Sequence, residues 1–124
     1  MPVIATDHQR LSNWLKYEYD PASGVTREVM PKTWLDPAVK ATGSVLDADG
    51  KLVTKATAAN AAYILIDCEH RAAADQFTQV LLLARGYAKI ADEGVIFADD
   101  VEAADKETAF AELAKKNIFA VHQV

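Results

Sequence analysis

Cys68, Glu69 and His70 stand side by side, and a thiol, a carboxylate and an imidazole are the groups from which a metal site or an activated nucleophile is built. Neighbouring residues on a strand point to opposite faces, so Cys68 and Glu69 do not converge if the strand pattern of residues 62–68 runs through them. In that pattern Ala62, Ile64, Ile66 and Cys68 share one face while Tyr63, Leu65 and Asp67 share the other, which makes Cys68 a buried, inert thiol. His8 and His122 lie near the two ends of the chain, without helical or hairpin spacing to a second ligand. Asp47-Ala48-Asp49-Gly50 has the start of a calcium loop, but Ala58 stands at the twelfth loop position, where a glutamate is needed, so the run reads as a structural turn. The pairs Asp92-Glu93 and Asp99-Asp100 fall in the most acidic part of the chain and read as solvated surface. There is no Gly-x-Ser-x-Gly elbow, no phosphate-cradling glycine loop and no dinucleotide fingerprint, and the five glycines are scattered singly. These residues predict no catalytic, cofactor or metal site, and a protein that is not an enzyme.

The elements around them are those of one small domain. A chain of 124 residues with 51% hydrophobic residues is large enough for a single core and too small for two. Neither a signal peptide nor a membrane span is visible, which predicts a protein made in the cytoplasm with no membrane partner. Cys68 is the only cysteine, so no intrachain disulfide forms. The net charge of −5 is unevenly distributed. Residues 1–40 carry five basic and five acidic side chains, so the whole excess lies beyond them, concentrated from Asp92 to Glu112. Such a surface repels phosphate and argues against nucleic acid as a partner.

In chain order, Leu15, Tyr17 and Tyr19 alternate with Lys16, Glu18 and Asp20 as on a strand with one apolar edge, although Leu11, Trp14 and Leu15 also fit a helical turn. Pro21, Gly24, Pro31 and Pro37 then exclude a long helix. Both tryptophans, Trp14 and Trp34, lie in this punctuated region and must bury themselves on the body or on a partner. Beyond residue 40 the pattern predicts a hairpin, with strands at 41–46 and 51–54 joined by a turn in which Gly50 takes the positive-φ position. Residues 56–61 make a connection, 62–68 a strand, and 69–76 a loop or short helical turn. The apolar run 78–84 predicts a strand buried on both faces, Gly86 a bend, and residues 87–91 a continuing strand with one face on the core. A helix is expected over about 104–116, capped near Asp105, with a stripe of Phe110, Leu113 and Ala114 and a left-handed Asn117 at its end. Residues 118–121 close the chain as a strand. The fold class is therefore α+β and β-rich, with one C-terminal helix, divided into an extended N-terminal arm and linker at 1–37 and a body at 38–124.

The succession Leu11-Ser12-Asn13-Trp14-Leu15-Lys16-Tyr17-Glu18, Thr26-Arg27-Glu28-Val29, Thr42-Gly43-Ser44-Val45-Leu46, Ala62-Tyr63-Ile64-Leu65-Ile66, the run from Val80 to Ile90 and the helix ending Leu113-Ala114-Lys115-Lys116-Asn117 resembles the lambda-type head decoration, or capsid cement, proteins of tailed bacteriophages. The resemblance is one of order and spacing from about Leu11 to Val121, and none of its motifs is catalytic. It implies the small phage head decoration fold and a homotrimer on the outer surface of the virion. That trimer would sit at threefold and quasi-threefold sites of the expanded capsid and bridge major capsid subunits. Under it, Leu11, Trp14, Leu15, Tyr17 and Tyr19 form a capsid-binding arm that adds to an exposed strand of the capsid protein and can be removed without unfolding the body. The alternative is a virion-associated glycan- or receptor-binding module, with the tryptophans and tyrosines stacking on sugar.

Overall fold

The computed structural model describes residues 11–20, 22–39, 41–66 and 78–122; the expectations for His8, for Cys68-Glu69-His70 and for residues 69–76 lie outside the described residues. The chain forms a small α+β domain. After a single helical turn, α1 (Leu11–Trp14), come β1 (Leu15–Glu18), β2 (Arg27–Pro31), β3 (Val45–Asp47), β4 (Ala61–Leu65), β5 (Gln79–Leu83), β6 (Ala88–Ala91), the helix α2 (Ala103–Ala114) and β7 (Ile118–Val121). Two sheets result among the described residues, one ordered β1-β6-β7 and the other β2-β5-β4-β3.

Strand alternation sorts the apolar side chains of the larger sheet onto its two faces. Val45, Ile64 and Leu83 face the main core, where they meet Trp14, Ile90, Ile118 and, from α2, Ala109 and Leu113. Leu46, Leu65, Val80 and Leu82 face the other way, into a second cluster covered by Leu35 and Val39. The proline-punctuated segment is thus the lid of the second cluster. Within it Trp34 sets its ring edge-on to Tyr63 at 5.6 Å and donates its indole N–H to the Ala48 carbonyl at 3.0 Å. The Asp47–Gly50 turn lies beneath Trp34. Gly50 has φ +78°, and a Cβ there would stand 2.4 Å from the Trp34 carbonyl oxygen, so both conformation and space demand glycine.

Several expectations are met closely. β5, the Gly86 bend, β6 and β7 fall where the pattern puts them, and Asn117 ends the helical region at φ +66°. The structure differs elsewhere. Helix and strand readings of residues 11–19 are both right in part, because α1 ends at Trp14 and β1 begins at the next residue. The returning strand of the hairpin shrinks to one bridge, Leu46 to Leu52, because residue 53 turns inward to the main core. Residues 55–60 wind into a 3-10 helix, which α2 covers. The start of α2 is fixed by Glu102, whose backbone N–H donates to Asp105 Oδ2 at 3.0 Å, so Asp105 acts from inside the first turn. Its inward residues are Ala109 and Leu113, and Phe110 packs only partly, edge-on against Phe97.

The largest difference concerns the segment read as an extended arm. From Leu11 onward it is built into the domain: β1 pairs antiparallel with β6, β2 pairs antiparallel with β5, and Trp14 is 0% exposed. A division after residue 37 would separate β2 from the sheet in which it is an edge.

Candidate interaction surface

The β1-β6-β7 sheet presents one face to the main core and leaves the other open. Along β6, Ala88 and Ile90 are buried and Lys89 between them is exposed. Along β7, Ile118 is buried and Phe119 is exposed. Lys89 is in register with Tyr17 on one side and Phe119 on the other, so the three share the open face.

Tyr17 reaches that face through a local irregularity. Leu15 pairs with Ile90 and packs toward the core, but the register shifts before the next pair, Tyr17 with Lys89. One extra residue in β1 therefore changes the phase of the alternation, turning Tyr17 outward and Glu18 inward. Tyr87, at the bend before β6, completes the arrangement, and its carbonyl accepts the Tyr19 backbone N–H at 2.8 Å. The Tyr17 and Tyr87 rings meet at 5.8 Å and 90°, and the Tyr87 and Phe119 rings at 5.4 Å and 62°. Three rings in edge-to-face contact thus cross the sheet, with Tyr17 49%, Tyr87 47% and Phe119 37% exposed. Tyr19 extends the patch beyond β1 and is also exposed.

Glu18 anchors this row from behind. Its carboxylate accepts two hydrogen bonds from Arg27, Nε to Oε2 and Nη2 to Oε1, each 2.7 Å, and a third from the Thr26 hydroxyl. The Arg27 guanidinium, reinforced by Thr26, holds the Glu18 carboxyl below the usual carboxylate range against the opposing effect of burial.

The five residues assigned to a binding arm thus divide. Trp14 is in the main core, its indole N–H donated to the Thr42 hydroxyl at 3.1 Å, and Leu11 and Leu15 pack against that core. Tyr17 and Tyr19 face outward. Tyr87, Lys89 and Phe119 join them, and the signal for these three was the alternation of Lys89 with Ala88 and Ile90 and of Phe119 with Ile118 and Ala120. What the patch offers is apolar area, three phenolic hydroxyls and one ammonium. Among the described residues no three His, Cys, Asp or Glu side chains gather as metal ligands, and no helix is long and apolar enough to cross a membrane. Compared with known proteins, the chain matches no family model, no curated protein and no solved structure.

Proposed function

We propose that this chain is a virion structural protein of the capsid cement type. It binds the outer surface of the expanded phage capsid as a homotrimer at threefold and quasi-threefold sites and stabilises the shell by bridging major capsid subunits. The observation that carries the reading is the row Tyr17, Tyr87 and Phe119 on an open sheet face bordered by β1, an edge strand of its sheet among the described residues. Exposed aromatic side chains in contact with one another mark association surfaces, because water solvates them poorly and they lose little conformational entropy when covered. An open strand edge beside them supplies main-chain hydrogen bonds to an added strand.

The excess acidic charge of the body suits a position on the outside of the shell, away from packaged DNA. A trimer that engages several sites at once multiplies weak individual contacts by about a hundredfold or more. Sugar stacking fits less well. A flat glycan platform needs ring faces directed outward, whereas these rings meet at 90° and 62°, Trp14 is buried, and Trp34 is occupied by Tyr63 and Ala48.

Co-sedimentation of the purified protein with expanded and unexpanded shells of its phage tests the proposal. Saturable binding to expanded shells alone is expected. Equal binding to both, or to neither, would remove it.

A further inference from the structure

The second edge of the same sheet carries a different surface. Among the described residues β7 is an edge strand, and α2 runs beside it, leaving an open groove of about 420 Å3 lined by Phe119 and Ala120 of β7, Phe110, Ala111 and Glu107 of α2, and Asp92 just after β6. Its walls are mostly apolar, and its two charged residues are both acidic.

Asp92 is held in place and incompletely used. Its backbone N–H donates to the Val121 carbonyl at 3.0 Å, and its Oδ2 lies 3.3 Å from His122 Nδ1. Its Oδ1 is sealed from solvent and has no hydrogen-bond donor among the described residues. The Asp92 side chain as a whole is 31% exposed, so the groove presents its negative charge to a cationic group. Glu107, unlike Asp92 with His122 beside it, has no cationic partner among the described residues, since the ion pairs of α2 and its flanks involve Glu102 and Glu112.

We infer that the groove between β7 and α2 is a docking site for an extended basic segment of a partner polypeptide. The segment adds along the β7 edge, its main chain hydrogen-bonding to the strand. An arginine or lysine side chain lays its methylene stem on Phe119 and Phe110 and brings its positive charge to Glu107 and the Asp92 carboxylate. Charge selects this occupant over an acidic or purely apolar strand. The inference does not depend on the partner being a shell protein.

The test uses two blocked peptides of alternating valine with arginine or with glutamate, titrated into the full chain labelled for amide NMR. The arginine peptide is expected to shift the amides of Asp92 and of residues 118–121 and to bind at least about tenfold more tightly than the glutamate peptide. Asp92→Asn and Glu107→Gln should each weaken it severalfold; Glu107→Gln alters an exposed helical side chain and leaves the fold intact. The inference is overturned if the arginine peptide shifts no β7 amide, if its shifts scatter over the acidic surface, or if both variants bind it unchanged.

Discussion

Arg27 and Glu18 join the two sheets. Glu18 ends β1 in the three-stranded sheet, Arg27 begins β2 in the four-stranded one, and two parallel 2.7 Å hydrogen bonds connect their side chains. Thr26, fully buried beside them, supplies the third bond to the carboxylate. The connection between the sheets at this end is thus a charged, geometrically specific one rather than apolar contact alone.

Because Arg27 holds the Glu18 pKa down, the pair contributes stability that is complete above the unfolded glutamate value of about 4.3 and is lost as pH falls through the lower folded value. Glu18→Gln is expected to cost about 1–3 kcal/mol at pH 7. The difference from the parent should narrow on acidification, since the parent loses its advantage and the variant has none to lose. Urea unfolding between pH 7 and pH 3 measures this; a gap that stays constant with pH would contradict it.

Gly86 is fixed by space. A Cβ there would stand 1.7 Å from the Asn117 carbonyl oxygen, at the point where the Gly86 N–H donates to Lys116 and the Ala88 N–H to Asn117. Backbone cannot yield as a flexible side chain does, so Gly86→Ala should destabilise by about 3 kcal/mol or more and loosen β7 from β6. Thermal unfolding and amide exchange of residues 118–121 would show it.

Trp14 makes the N-terminal segment part of the fold. Trp14→Ala should cost about 3–5 kcal/mol. Deleting residues 1–20, which removes Trp14 and β1 together, should leave a chain without cooperative unfolding or near-ultraviolet dichroism. A truncated chain that melts like the parent would show that β1 and Trp14 are dispensable.

The aromatic row should behave in the opposite way. Tyr17→Ser with Phe119→Ser removes half-exposed rings and should change stability by only about 1 kcal/mol, while binding to expanded shells falls at least about tenfold. Circular dichroism melts and co-sedimentation of the same preparation separate the two effects. Undiminished binding would show that this face is not the contact.

Much of the fold was legible because local chemistry and global packing agree. Short apolar runs located β5 and β7, alternation located β6, and Gly50 and Asn117 announced their backbone conformations. The surface was half legible. Tyr17 and Tyr19 stand out as aromatic residues on a short strand, but a period of two also puts Leu15 on their side, and only the irregular register opposite Ile90 and Lys89 separates core from patch. No pattern in the residues before position 38 reveals that Arg27 will find Glu18, since their meeting depends on two sheets closing on each other. Trp14 looked like an interface residue because it sits in an irregular, aromatic-rich segment. Its partner Thr42, 28 residues away, lies beyond any local window.

On the proposed reading, the open face of the β1-β6-β7 sheet grips a capsid lattice. A reconstruction of expanded shells mixed with the purified protein tests it most directly. Three copies are expected around each threefold and quasi-threefold position on the exterior, with Tyr17, Tyr87 and Phe119 turned toward the capsid protein. Bare shells, or bound copies with those three rings facing solvent, would contradict it.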